Sequence, residues 1–203
     1  MTVPARLVVG AMAVLTLALA GCADPAPTGG ERPLGPADFR GSGLGPCPGP
    51  SGSPVDQPTD DQSPELRSVQ LPCMHDATSV DLSRPVGRPV VLNLWASWCR
   101  PCAQELPAFQ RLHDRAGGRL TVIGVNTEDG VDRAVSAAAD LRLSFPSVYD
   151  RGGEVLRSLR RVALPVTAFV DARGRVVAVY NGPALTDAAL AALVRRHLAV
   201  AVP

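Results

Sequence analysis

The segment Pro89-Val-Val-Leu-Asn-Leu-Trp-Ala96 is an almost unbroken apolar run, and Trp98-Cys99-Arg100-Pro101-Cys102 follows it closely. A run without alternation requires burial on both faces, as in a parallel strand covered by helices. A helical segment then extends from Cys99 to Ala116 and stops at Gly117-Gly118. The chain therefore passes from buried strand to helix at its two closely spaced cysteines. The start of a helix offers free N–H groups and roughly half a positive charge, which stabilise a thiolate. In Cys-X-X-Cys motifs such thiols have pKa values of about 3.5–7.5, against about 8.5 for a free thiol. The spacing predicts Cys99 as the first helical residue, exposed and partly deprotonated. Cys102 lies one turn further in, less exposed and able to close a disulfide with it. Arg100 adds positive charge between them, and Pro101 is tolerated because the first turn needs no N–H there. The alternatives are a structural disulfide or half of a zinc site. Zinc takes four ligands, usually from two paired clusters, and the chain has no second Cys-X-X-Cys and no His-X₃-His. The redox reading is preferred.

The remaining pattern supports a mixed sheet. Ser68 to Pro72 reads as a short edge strand and Arg119 to Val125 as a second buried strand. Asp129 or Asp132 can cap a helix reaching Leu141. Phe145 to Tyr149 is extended, and Glu154 to Arg161 is a short helix. Val166–Val170 and Arg175–Tyr180 form a hairpin around the turn Asp171-Ala-Arg-Gly174. Thr186, with Asp187 in the first turn, caps a last helix ending near His197. The order β-α-β-α followed by β-β-α gives an α/β domain with helices on both faces. Hydrophobic residues make up 46% of the chain and aromatics 4%, so one core fits and it must be mostly Val, Leu and Ala. The net charge of +1 excludes a strongly basic nucleic-acid binder. All 20 basic residues are Arg, which codon use in a GC-rich genome explains without a phosphate site.

The N-terminus has its own logic. One Arg precedes Leu7–Ala20, an uncharged run of 14 residues. A membrane-spanning helix needs about 20 apolar residues, so a signal-peptide core fits better. The run ends in Leu19-Ala20-Gly21-Cys22, which resembles the bacterial lipobox. Residues 1–21 are thus expected to be a lipoprotein signal peptide, with Cys22 lipidated at the mature N-terminus. The acyl chains, at about 0.8 kcal/mol per buried CH₂, would hold the chain on a membrane, outside the cytoplasm, where disulfides persist. Residues 22–64 are expected to be a tether: from Ala23 to Pro64, 10 of 42 residues are Pro and 8 are Gly. This composition predicts an extended, solvated linker. The folded domain is expected over 65–203.

The active-site segment Asn93-Leu-Trp-Ala-Ser-Trp-Cys-Arg-Pro-Cys102 resembles that of thioredoxin-fold oxidoreductases. Cys-X-X-Cys-X-X-Glu-X-Pro, continued through Ala103-Gln-Glu-Leu-Pro107, is similar to the membrane-anchored TlpA/ResA-type proteins. Phe145–Asp150 and Leu164–Asp171 continue the pattern. The resemblance implies a thioredoxin fold with an inserted strand and helix. It implies that Cys99 is the nucleophile, Cys102 the resolving cysteine, and Pro165 a cis-proline facing the disulfide. The backbone of Leu164 would pair with a substrate strand. Trp98 would flank and shield the dithiol, and Glu105 would shuttle the Cys102 proton if burial raises its pKa; the alternative for Glu105 is a solvated helix face. Two departures stand out. Asn93 replaces the buried Asp of cytosolic thioredoxins, and Ala163 stands where many relatives have Gly.

Four non-lipidated cysteines allow three pairings. Cys47–Cys73 with Cys99–Cys102 is preferred, because the second pair is local. The first would close a loop of about 27 residues and contribute about 3–4 kcal/mol. A second redox pair or free thiols are the rivals. Met74 and His75 beside Cys73 hint at copper, against a plain surface histidine. His113 and His197 need no function. The expected activity is thiol–disulfide exchange with exported proteins, more on the reductive side and conceivably in cytochrome c maturation. It requires no cofactor, but it does require a membrane electron donor or acceptor. A tethered monomer needs no further assumption. The alternatives are a copper-delivery module using Cys99, Cys102 and His75, a non-catalytic binding lipoprotein and, more weakly, a peroxidase, whose chemistry needs no cysteine three positions on.

Overall fold

The computed structural model describes residues 32–51 and 64–202. The signal segment, Cys22 and tether residues 23–31 and 52–63 lie outside them. One compact unit spans Pro33–Pro203. Its strands and helices, in chain order, are β1 (Gln70–Pro72), β2 (Ser79–Asp81), β3 (Val90–Trp95), α1 (Arg100–Ala116), β4 (Thr121–Thr127), α2 (Val131–Asp140), β5 (Ser147–Asp150), α3 (Glu154–Ser158), β6 (Val166–Val170), β7 (Val176–Tyr180) and α4 (Asp187–Leu198).

The main sheet has the order β5-β4-β3-β6-β7. β3 runs parallel to β4 and antiparallel to β6. All six residues of β3 are buried, as the unbroken apolar run requires. Its two faces feed different cores. Val91 and Trp95 pack with Leu106 and Phe109 of α1 and Val194 of α4. Leu92 and Leu94 pack with Val155 and Leu156 of α3 and with Leu71 of β1. α2 and β5 lie between β4 and α3 in the chain, where the expected helix and strand insertion would fall. Gly124 in β4 is required by packing: a Cβ there would sit 2.3 Å from Ser147 Oγ and 2.9 Å from the Phe145 ring.

Several elements differ from expectation. The α2 N-cap is Gly130, without a side-chain cap. Asp129 is instead turned back toward β3, and Asp132 lies in the first turn. Thr186 does cap α4, accepting from the Ala189 N–H. The 65–203 boundary and the tether reading fail for Pro33–Ser51. Pro36–Phe39 forms a 3₁₀ turn, Phe39 and Leu44 are buried, and Phe39 meets Tyr149 edge-on at 6.2 Å. Local Pro/Gly content set the expectation, but Phe39 and Leu44 enter the core and the Cys47–Cys73 bond holds the segment to the domain. Gly45 N–H donates to Ser144 O, and a Cβ on Gly45 would lie 2.7 Å from that same oxygen.

Cys47 is bonded to Cys73, joining this segment to the end of β1. Cys73 bridges to Val148, so the β1–β2 hairpin continues from the β5 edge and covers it. Replacing Phe39 by Ala is expected to lower unfolding free energy by about 3–5 kcal/mol, the cost of emptying a core aromatic site. Denaturant titration checks this; a loss below about 0.5 kcal/mol would return the segment to solvent.

Candidate active site

β3 ends at Trp95, and the chain turns through Ala96-Ser97-Trp98 into α1. Cys99 is the N-cap, not the first helical residue. Its sulfur accepts the Cys102 N–H at 3.2 Å, so a free donor of the first turn points at it. Cys99 and Cys102 are joined as a disulfide with Cα atoms 5.3 Å apart. The expectation of an exposed Cys99 is corrected: it shows 4% of its surface and Cys102 none. The capping position and the closed bond turn the sulfur inward over the helix start. Trp98 is 57% exposed, and its indole N–H donates to Glu128 O at 3.0 Å. Arg100 is exposed at the first helical position.

The turn is held by a residue that the sequence pattern did not reveal. Asp129 is buried, and its carboxylate accepts from Ser97 N–H at 2.6 Å and Ser97 Oγ at 2.8 Å. It also accepts from Asn126 Nδ2 and Gly130 N–H. Tyr149 Oη donates to Asp129 O at 2.6 Å. The β4–α2 loop thus grips both residues before Cys99. The only available signal was an Asp after a buried strand, and it was read as a helix cap.

Glu105 follows Cys102 by one turn on the same face of α1. It is 1% exposed, which excludes the solvated helix face. Its Oε1 accepts from Asn93 Nδ2 at 2.7 Å and its Oε2 from Leu185 N–H at 2.9 Å. Desolvation pushes its pKa up from the ordinary 4.5, and the bonds from Leu185 and Asn93 oppose that rise. Asn93, in the middle of β3, therefore holds this carboxyl instead of carrying one.

Val166 pairs with Leu94, so the start of β6 lies at the same end of the sheet as the end of β3. There the Leu164–Pro165 bond is cis, as expected. Asn181 Nδ2 donates to Pro165 O at 2.7 Å and to Ala163 O at 3.1 Å, tying the loop to the end of β7; this residue too was missed. Leu164 is half-buried, and Val162 and Ala163 are exposed.

The Cys73-Met74-His75 stretch does not fit a copper site. The Cys73 sulfur is taken by its disulfide, Met74 is fully buried, and His75 Nδ1 faces Leu44 O at 2.9 Å. The three side chains do not form a shared donor set. His113 and His197 lie against Phe145 and Phe169.

A sheet of this order with a dithiol at the start of its central helix places the chain among the thioredoxin-fold thiol–disulfide oxidoreductases. It belongs to the AhpC/TSA family, whose sequence profile matches residues 62–179. The thiol-disulfide oxidoreductase ResA of Oceanobacillus iheyensis is 30% identical over 128 residues, 63% of this chain and 67% of that protein. The sporulation thiol-disulfide oxidoreductase A of Bacillus subtilis is 29% identical over 129 residues, 61% of this chain and 77% of that protein. Among solved structures, a secreted thiol-disulfide isomerase of Corynebacterium glutamicum aligns with a TM-score of 0.57 and 28% identity, over 74% of this chain and 93% of that one.

Because the folded protein holds the Glu105 proton more tightly than the unfolded chain, Glu105 contributes stability below the ordinary carboxylate range. That contribution is lost as pH rises through the raised folded value. Glu105→Gln is expected to be more stable than wild type at pH above the raised folded value and equal to it in acid. Thermal unfolding across pH checks this; a gap independent of pH would remove the desolvated carboxyl.

Proposed function

We propose that the protein is a membrane-tethered, extracytoplasmic oxidoreductase that exchanges disulfides with exported proteins through Cys99 and Cys102, working as a reductant. The observation that carries the reading is the Cys99–Cys102 disulfide at the start of α1, with the buried Glu105 carboxyl one turn below. The lipobox-like Leu19–Cys22 supports the anchor, and the Pro- and Gly-containing residues 23–32 support a short tether. No helix among the described residues is long and apolar enough to cross a membrane. The secreted relative from Corynebacterium glutamicum supports an exported location.

In the reduced form, the Cys99 thiolate is stabilised by the first-turn N–H that meets its sulfur. It attacks one sulfur of a substrate disulfide, and the other substrate sulfur leaves as a thiolate and takes a proton from water. Cys102 then gives its proton to the Glu105 carboxylate and attacks the Cys99 sulfur. The second substrate thiolate departs, and the Cys99–Cys102 bond closes. Two electrons have passed from the dithiol to the substrate. A membrane-bound dithiol donor reopens the disulfide by the reverse sequence, and Glu105 returns the proton to the leaving Cys102. Pro165 and the Leu164 backbone present an edge for an extended substrate segment. Exposed Trp98 forms the apolar wall beside the sulfurs.

With dithiothreitol as donor, the wild type is expected to accelerate insulin reduction, and Cys99→Ser to fall to the uncatalysed rate. Equal turbidity rates would eliminate the catalysis. Equilibration with glutathione is expected to give a potential nearer the reductant value of about −270 mV than the oxidant value of about −120 mV; a value near the latter reverses the direction. Separately, Cys22→Ala is expected to move the full chain from the membrane to the soluble fraction, and retention at the membrane would remove the lipid anchor.

A further inference from the structure

The mechanism requires the Glu105 carboxyl to exist in two protonation states inside a dry core. When ionised it is well served, since both oxygens face donors, Asn93 Nδ2 and Leu185 N–H. When protonated it is not. The new O–H needs an acceptor, and neither of those donors is one. The Leu185 bond comes from the backbone and cannot reverse. The Asn93 bond can, because the two ends of a carboxamide differ little in size and one accepts where the other donates.

Asn93 is fully buried, and its Oδ1 has no hydrogen-bond partner. Thr167 is paired with Asn93 across β3 and β6, and its Oγ1 is likewise buried and unpartnered. Directly paired residues share a face of the sheet, with Cβ atoms about 4.5–5.5 Å apart. A hydroxyl can donate or accept. On the opposite side, Gly124 is the β4 partner of Asn93, and a Cβ on it would lie 3.0 Å from Trp95 Nε1, another unpartnered donor. Such orphans normally cost about 1–3 kcal/mol each, so the amide's own Oδ1 and the two beside it need a reason.

We propose that the Asn93 carboxamide is a two-position hydrogen-bond switch. Its amino group faces Glu105 when that carboxyl is ionised, and its carbonyl faces Glu105 when the carboxyl is protonated. Thr167, unpartnered in the first position, takes up the outward end in the second. In the first position, the one seen here, Oδ1 points away from Glu105 and has no partner. In the second, Oδ1 accepts the Glu105 O–H and Nδ2 donates to the Thr167 hydroxyl. The indole, a donor only, favours the first position, so neither state is locked. The step balances: Cys102–SH and the Glu105 carboxylate become Cys102–S⁻ and the Glu105 acid as the amide turns over, and the return proton turns it back. Asn93 and Thr167 are positioning residues, and the inference rests on Glu105 accepting the Cys102 proton.

No charged neighbour contributes to the Glu105 shift. On α1 the titratable group facing it is Cys102. β3 and β6 present Asn93 and Thr167, and the segment before α4 presents the Leu185 N–H. At the helix ends, Asp187 is paired with Arg111, and His197 lies against Phe169.

The test is the pH dependence of mixed-disulfide resolution by the full chain, measured by stopped flow. Thr167→Val removes the outward acceptor and is expected to move the acidic limb down by about one pH unit. Thr167→Ser restores it. Asn93→Ala removes the bond to Glu105 in both protonation states and is expected to leave the limb within a few tenths of a pH unit of wild type, whereas loss of a fixed donor alone would move it up by about one unit. In wild type, the Asn93 side-chain amide resonances are expected to titrate with the same midpoint as the rate. If Thr167→Val follows wild type while Asn93→Ala shifts, Asn93 is a fixed donor and the switch is overturned. Amide resonances unmoved across the limb overturn it without any variant. If the limb survives Glu105→Gln, the proton-acceptor reading itself falls; if Glu105→Gln abolishes the limb but neither partner variant moves it, only the switch falls.

Discussion

β3 is the constraint on which the rest depends. It lies in the centre of the sheet, parallel to β4 and antiparallel to β6, with all six residues buried. Each large apolar side chain placed there contributes about 1.5–3 kcal/mol, and a one-residue slip would turn Asn93 and Trp95 toward the opposite core. The strand's register therefore fixes more than packing. Its end delivers Cys99 to the start of α1. Its antiparallel partner starts at the same end of the sheet, which brings the Pro165 loop beside that end. One strand address thus brings together two chain segments more than sixty residues apart in sequence.

The surrounding polar groups divide by how fully they are satisfied. Asp129 accepts four bonds and immobilises the turn before Cys99. Asp150, equally buried, accepts from Thr127 and from the Glu154 and Val155 N–H groups at the start of α3. These carboxylates are structural braces that shape loops. Glu105 accepts only two bonds, with desolvation as the leading influence on its proton. The proposed mechanism gives the proton exchange to this carboxyl, whose charged form burial disfavours. Glu105, on α1, differs from these two loop-shaping carboxylates in accepting fewer bonds and in the desolvation that raises its pKa.

Much of this was legible in the residues. The buried strands, the Cys99–Ala116 helix, the Val166–Tyr180 hairpin and the Thr186 cap all follow from period, turn residues and capping chemistry. The Pro33–Ser51 segment was not legible, because its Pro/Gly content outweighs Phe39 and Leu44 in any local window. Only the three-dimensional arrangement supplies the hydrophobic site that Phe39 enters. Asp129 and Asn181 were missed for a related reason: their partners, Ser97 and the carbonyls of Ala163 and Pro165, are distant in sequence. Asn93 was read as the loss of a carboxylate, whereas it is the partner of one.

The amino-acid order alone determined that two thiols sit where a buried strand becomes a helix, because hydrophobic period and helix-stop residues are local properties. It also determined that Glu105 shares a helix face with Cys102, since that is helical spacing. Tertiary structure decided the inward turn of Cys99, the burial of Glu105 and the pairing of Asn93 with Thr167. Those depend on which elements pack together, and solvent exclusion is a property of the assembled layers that no single segment carries.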